Sequence, residues 1–284
     1  MNPSVLAAVA GIALLSVMDA VIKGLVTRLP VVEVAWLRYL VGSVAMLLIV
    51  AVARPGWPSG ETLRANALRA VLVVITATSF FYALGQLPLA ETLVLSFISP
   101  VVTAVFAALI LGEKLHRRIL LALGAGFGGV LLIAAAGIGE HGGAAGRSGS
   151  ISGVVAVLIS AVGYSASNVL LRARAQRDPL LTIVAIQNMA PCLMLAGPAA
   201  YAWTAPSVDD SWLLAAVGLL GVAGHLCLAR AYARAEATRL APLDYTALIW
   251  AIGIGYFAFG EVPTLWTGLG AAFILGAAWI ASRR

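Results

Sequence analysis

Ten stretches of about 20 mostly apolar residues follow one another with little pause, at roughly 3–27, 33–53, 66–87, 91–111, 117–137, 150–172, 180–203, 211–233, 240–260 and 264–282. At about 1.5 Å of rise per residue, a run of that length matches the hydrocarbon thickness of a bilayer. Backbone N–H and C=O groups in lipid must be satisfied within the segment, so these runs are expected to be helices. With 62% hydrophobic and 11% charged residues, the chain has too little polar surface to cover a water-soluble globule. The connections are short, and the longest, Gly137 to Gly149, reads as a flexible Gly-rich linker.

The runs fall into two copies. Sliding the chain by 148 positions pairs Ala83 with Ala231, Gly112-Glu113 with Gly260-Glu261, and Gly128 with Gly276. One residue of gap earlier in the chain, a shift of 149, brings Lys23, Arg28 and Pro30 onto Arg172, Arg177 and Pro179. The expected organisation is a first five-helix repeat over residues 1–137, a linker over 138–149 and a second repeat over 150–284. Five is odd, so the second copy enters the bilayer from the opposite side. The fold class is therefore all-α membrane protein, with ten transmembrane helices built as two inverted five-helix repeats, an architecture used by secondary transporters.

With both termini cytoplasmic, the inner loops hold Arg54, Arg64, Arg69, Lys114, Arg117, Arg118, Arg172, Arg174, Arg177, Arg230, Arg234, Arg239, Arg283 and Arg284, which is 14 of the 18 basic residues. That is a positive-inside pattern. It also accounts for the basic composition without nucleic acid, because these residues occupy loops and form no single face. The first 20 residues lack the positive n-region of a signal peptide and are expected to stay as helix 1. Cys192 and Cys227 have neither disulfide nor metal-ligand spacing, so no metal or other cofactor is expected.

Charges inside the spans are costly in lipid and should face the bundle or an aqueous cavity. Asp19 in helix 1 and Arg38 in helix 2 fall at similar depths, about 6 Å and roughly 7–8 Å outward of their helix centres. They read equally as solute contacts or as a structural ion pair. Their counterparts in the second copy are Asn168 and Gln187-Asn188, polar but uncharged. Candidate contacts for a solute are Asp19, Arg38, Gln86, Ser99, Asn168 and Asn188, with Trp36, Tyr82, Tyr164, Tyr245 and Trp250 as aromatic partners. Tyr82 and Gln86 share a face at i and i+4. Pro100, beside Ser99, is expected to break the fourth helix mid-span, as a packing kink or to free a carbonyl for a ligand. His225 titrates or bonds across helices. Structural roles are expected for Glu113 and Glu261 at helix ends. They are also expected for Gly124, Gly128 and Gly276, whose small side chains permit close packing of helices 5 and 10 against the bundle or a second subunit of a homodimer.

Taken together, these residues resemble the drug/metabolite transporter superfamily, and within it the EamA-type exporters. The resemblance covers nearly the whole chain. It rests on two five-helix repeats whose penultimate helix ends in Gly-Glu and is followed by a Gly-rich helix: Ser99-Pro100 through Gly112-Glu113 to Gly124 and Gly128, then Gly260-Glu261 to Gly276. The second copy departs from the first, with Leu248 where Pro100 would align and Arg239 opposite Glu91. The resemblance implies a multi-pass protein of the bacterial inner membrane that exports amino acids or related small metabolites by alternating access. Aromatic or other large neutral amino acids suit the intramembrane Tyr and Trp residues, while nucleosides, sugars and drugs are the alternative solutes. A passive channel would need a ring of filter groups, and none is visible. An intramembrane enzyme would need a nucleophile with its base, paired aspartates or a metal cluster, and the sequence shows no such set.

Overall fold

The computed structural model describes residues 3–87, 92, 95–140, 151–259 and 265–282, and the regular elements among them are all helical. In chain order they are α1 (Pro3–Leu25), α2 (Val31–Ala53), α3 (Gly60–Gln86), α4 (Ser99–Leu111), α5 (Arg117–Glu140), α6 (Ile151–Ala175), α7 (Leu180–Tyr201) and α8 (Val208–Arg234). A helical turn (Ala237–Leu240) and a 3₁₀ segment (Ala241–Tyr245) then lead into α9 (Thr246–Phe259), and α10 (Leu265–Ser282) follows. Among the described residues six helices, α1–α3 and α6–α8, are long and apolar enough to cross a membrane. Glu261 and most of the expected linker lie outside the described residues.

The repeat shows in how the helices start and stop. Helices α3 and α8 are each 27 residues long and begin 148 positions apart, at Gly60 and Val208. Ser59 Oγ accepts from the Thr62 N–H, and Ser207 Oγ accepts from the Asp210 N–H, both at 3.1 Å. A serine N-cap satisfies one of the backbone donors left over in the first helical turn. These caps start both helices earlier than the apolar runs at 66 and 211. As a result Arg69, expected in an inner loop, is an interior residue of α3 and only 2% exposed.

Helices α4 and α9 are short, at 13 and 14 residues. The single spans expected at 91–111 and 240–260 are interrupted, with turn geometry at Phe97 and Ile98 and 3₁₀ geometry at Ala241–Tyr245. Pro100 and Pro242 explain both breaks. Each sits in the first turn of its helical segment, where the missing N–H has no helical acceptor to lose. Pro100 is thus a helix start and not a mid-helix kink. Gly112 ends α4 in the left-handed region at φ +67°, and α5 runs on to Glu140, past the expected end at Gly137.

Each principal interface pairs a helix from before residue 140 with one from after residue 151: α1 with α8, α2 with α7, α3 with α6, and α5 with α10. Glycines set the approach. A Cβ at Gly11 would lie 2.9 Å from Gly224 O, one at Gly163 would lie 2.6 Å from Thr76 Oγ1, and one at Gly129 would lie 2.6 Å from Gly270 O. Gly42 packs on Asn188 in the same way. Of the two alternatives for the small-residue face of α5, packing against the bundle is not the one the described residues show. Added methyls at Gly124, Gly128, Gly268 or Gly276 would meet nothing within 4 Å, whereas Gly126 abuts the Tyr245 ring. With 3.6 residues per turn, Gly126 and Gly129 lie on one side of α5, and Gly124 and Gly128 on another.

Candidate functional site

A central cavity of about 220 Å³ opens between the helices, lined from α1, α2, α3, α6, α7 and α8 and from the two breaks preceding α4 and α9. Among the described residues α5 and α10 contribute nothing to its wall. Phe80 and Phe81 on α3 and Phe97 in the first break are apolar members of the wall, together with Leu15, Met18 and Leu228. Polar groups make up the rest: Asp19, Arg38, Arg69, Tyr164, Asn168, Gln187, His225 and Asp244 with several serines. The helix breaks matter here, because they bring Ser99 and Asp244 to the wall at the starts of short helices.

Asp19, Arg38, Ser99, Tyr164 and Asn168, all expected from the sequence, line this cavity. Six other candidates stand elsewhere. Trp36 sets its ring edge-on to Trp203 at 6.2 Å. Tyr82 is 42% exposed, with its hydroxyl 3.2 Å from Ser152 Oγ, and Gln86 packs beside Gly153, so the face they share meets the start of α6. Asn188 donates to Val184 O at 2.8 Å and fills the space over Gly42. Tyr245 is fully buried between Phe97, at 5.8 Å, and Gly126. Trp250 is 39% exposed on the outside of α9. In each case the rotation of the helix, about 100° per residue in the α-helices and about 120° in the 3₁₀ segment that carries Tyr245, sends the side chain away from the centre.

The geometry adds residues that the sequence candidates omit. Arg69 Nη2 donates to Gln187 Oε1, tying α3 to α7. Asp244 faces Tyr164, and its Oδ2 has no hydrogen-bond partner. His225 is bonded through Nδ1 to Gly221 O at 2.6 Å, within its own helix and not across helices. Arg69 falls at the edge of the expected run at 66–87, among the cations expected in the inner loops; the signal that sets it well inside the helix is the Ser59 cap, which starts α3 at Gly60. Asp19 and Arg38 lie within electrostatic reach of each other, yet among the described residues no salt bridge joins them. The reading of this pair as a direct ionic lock between helices 1 and 2 is therefore not met. Both side chains face the cavity instead.

Polar ties close the bundle at both ends. At the arginine-rich end the Glu113 carboxylate accepts from Arg172 Nε (3.2 Å), Ala237 N (3.1 Å) and Thr238 N (2.9 Å), while Arg172 Nη1 donates to Tyr232 O (2.8 Å). Nearby, Asp178 accepts from Arg174, Thr62 and Asn66, and Arg174 also pairs with Glu61 at 2.7 Å. Burial pushes the Asp178 carboxyl up, but the bonds from Arg174, Thr62 and Asn66 and the Arg174 charge together hold it below its ordinary value of 3.8. At the other end Arg28 pairs with Asp210 at 2.9 Å, and Thr204 N donates to Glu33 Oε2 at 2.8 Å.

Comparison with known proteins agrees with this architecture. The EamA-like transporter family matches residues 2–135 and again 151–283. The pseudopaline exporter CntI of Pseudomonas aeruginosa (strain UCBPP-PA14) is 28% identical over 276 residues, which cover 94% of this chain and 92% of that protein. An S-adenosylmethionine uptake transporter of Rickettsia prowazekii (strain Madrid E) is 24% identical over 262 residues, 92% of this chain and 86% of its own. A protein solved by crystallography superposes with a TM-score of 0.82 at 21% identity, covering 98% of both chains, and so shares the fold. With both halves matched and its similar relatives named as transporters, the chain belongs to the EamA-like transporter family of the drug/metabolite transporter superfamily and is a multi-pass membrane transporter.

Proposed function

We propose that this transporter exports small dipolar metabolites, amino acids with large neutral side chains foremost, across the bacterial inner membrane by alternating access about the central cavity. The observation that supports this reading is the cavity itself, whose wall combines charged, amide and phenol groups with three phenylalanines in the middle of an apolar bundle. At about 220 Å³ it is smaller than the roughly 300–1,000 Å³ typical of drug-sized pockets, which favours a solute the size of an amino acid.

The two halves are inverted repeats in this reading. Raising every helix number in the first half by five, and lowering every number in the second by five, exchanges the α1–α8 and α3–α6 interfaces and maps α2–α7 and α5–α10 onto themselves. A two-fold axis in the membrane plane, passing between the halves, accounts for that pattern. Arg64, Arg172, Arg174 and Arg234 gather at the Glu113 end, so under the positive-inside rule that end is cytoplasmic in this reading, together with the start of α1 and the end of α10.

Counterflow in liposomes tests the function. Purified protein is loaded with unlabelled amino acids one at a time and given labelled external solute. Saturable uptake driven by Phe, Trp, Tyr or Met, and not by Asp or Lys, is the expected result. Flat traces across the panel from folded, inserted protein would remove amino acids and turn attention to nucleosides, sugars and drugs. A second reading, net uptake instead of export, is favoured by the relative named for S-adenosylmethionine uptake. Transport measured in oriented vesicles separates the two directions.

A further inference from the structure

The cavity holds four side chains that are ordinarily charged, and among the described residues none has an opposite charge within 4 Å. They are not scattered. Arg38 and Arg69 both lie within electrostatic reach of His225. Asp19 and Asp244 both lie within reach of Tyr164. The cationic pole is thus made by α2 and α3, with the Arg38 guanidinium against Gly221, whose carbonyl holds His225, and the anionic pole by Asp19 on α1 and Asp244 at the break before α9.

Hydrogen-bonding capacity is left over at both poles. A guanidinium has five N–H donors. Arg69, 2% exposed, gives one to the neutral Gln187 amide, and its Nε bonds to nothing. Arg38, 5% exposed, lies with Cζ 4.7 Å from the centre of the Tyr39 ring, and its Nε is likewise unpartnered. At the opposite pole Asp244 Oδ2 and Asn168 Nδ2 have no partners, with the two residues 9% and 5% exposed. Buried charges left in this condition are strongly unfavourable unless something else satisfies them. Equal numbers of arginines and aspartates rule out a simple counter-ion of either sign as the best occupant, because it would satisfy one pole and repel the other.

We propose that Arg69 and Asp244 are the two anchors of a zwitterion site, with Arg69 and Arg38 taking the solute's carboxylate, Asp244 taking its ammonium group, and Phe80, Phe81 and Phe97 covering its apolar part. This rests on the transport reading above and deepens it: selection is by the dipole of the solute, and the side chain is judged only by fit to the phenylalanine wall. Neither anchor has a charged counterpart in the other repeat. Arg69 aligns with Val217 and Asp244 with Ser96 at the 148 shift, so the site is asymmetric although the scaffold repeats.

The test uses full-length protein in liposomes with labelled phenylalanine as probe, and phenylalanine, phenethylamine and 3-phenylpropionate as competitors that share a ring but differ in charge. Wild-type protein is expected to favour the amino acid over both truncated forms. R69Q should weaken phenylalanine and 3-phenylpropionate by about ten- to a hundredfold and leave phenethylamine nearly unchanged, the scale of one lost charged hydrogen bond. D244N should do the reverse. R38Q addresses the same pole as R69Q and serves if that variant does not fold. If wild type exchanges phenylalanine but R69Q or R38Q and D244N keep the wild-type order of competitors, the anchors are wrong while the transport reading stands. If wild type prefers the amine or the acid, or exchanges none of the three, the zwitterion site and the amino-acid reading fall together.

Discussion

Glu113 offers the sharpest mechanical test. Its carboxylate reaches from the end of α4 to Arg172 on α6 and to the N–H groups of Ala237 and Thr238 that begin the α8–α9 junction. One side chain thus binds the first half to two elements of the second, at the end read as cytoplasmic. With side chains only 8% and 13% exposed, Glu113 and Arg172 form a largely buried pair, and removing one partner of a fully buried pair costs about 3–5 kcal/mol. Arg172 keeps its bond to Tyr232 O, which places Glu113→Ala at the lower end, about 3 kcal/mol. If this tie exists in one conformation and is absent in the other, the whole of that energy acts on the equilibrium between them, a shift of roughly a hundredfold. Spin labels at the exposed Leu115 and Arg177 straddle the tie, and double electron–electron resonance reads their separation. Wild type should give one dominant distance, E113A a second and longer population, and E113Q an intermediate mixture. A lowered Tm for E113A with an unchanged distance distribution would refute gating and leave Glu113 as a static clamp.

Three further outcomes follow from the packing and the site. Gly129→Ala and Gly126→Ala force a methyl onto Gly270 O and onto the Tyr245 ring, and should each cost about 1–3 kcal/mol, whereas Gly124→Ala meets open space and gains up to about 1 kcal/mol of helix propensity. Thermal unfolding in micelles separates these, and a destabilising Gly124→Ala would show that its face is covered. Asp178 is held below its ordinary pKa, so its contribution to stability is complete above about pH 4, the unfolded carboxyl value, and is lost as pH falls through the lower folded value. A pH series of unfolding midpoints should show that acid loss in wild type and a smaller one in Asp178→Asn, and parallel curves would contradict it. Tyr82→Ala and Trp250→Ala should leave solute affinity within about twofold, because both side chains stand outside the cavity, while Phe97→Ala removes part of its apolar wall and should cost about 1–3 kcal/mol of binding. Saturation of counterflow measures both.

The fold was legible because the features that build it are written twice. Ser59 and Ser207 cap α3 and α8 at the same offset, Pro30 and Pro179 open α2 and α7, and the apolar runs between them recur. Hydropathy and capping disagree at the starts of α3 and α8, and the caps mark the true starts. An apolar run marks only the part of a helix in lipid, and a polar first turn such as Gly60 to Arg64 belongs to the helix without belonging to the run. That disagreement hid Arg69. The breaks before α4 and α9 were half visible: Pro100 and Pro242 announced an interruption, but a missing N–H is compatible with a kink or with a start, and only the packing decides.

The site was less legible for a different reason, which neighbouring residues make plain. Gln187 lines the cavity, while Asn188, one position on, turns to Gly42. Asp244 lines it as well, and Tyr245 turns to Gly126 and the α5 face. A difference of one residue rotates a side chain by about 100° on an α-helix and about 120° in the 3₁₀ segment of Asp244 and Tyr245, so depth alone, which the sequence supplies, leaves its direction open. In a soluble helix the polar face reveals that direction, but these spans carry few polar residues to mark a face, as in α2, where Glu33, Arg38, Tyr39 and Ser43 stand among apolar residues and glycine. Charge is the exception. A buried arginine or aspartate must find water, a partner or a solute, and that requirement fixes its direction where hydropathy cannot. Hence Asp19 and Arg38 line the cavity as their charge requires, Tyr164 alone of the five aromatic candidates does so, and Arg69 and Asp244 are the residues on which a chemical hypothesis for this transporter is best founded.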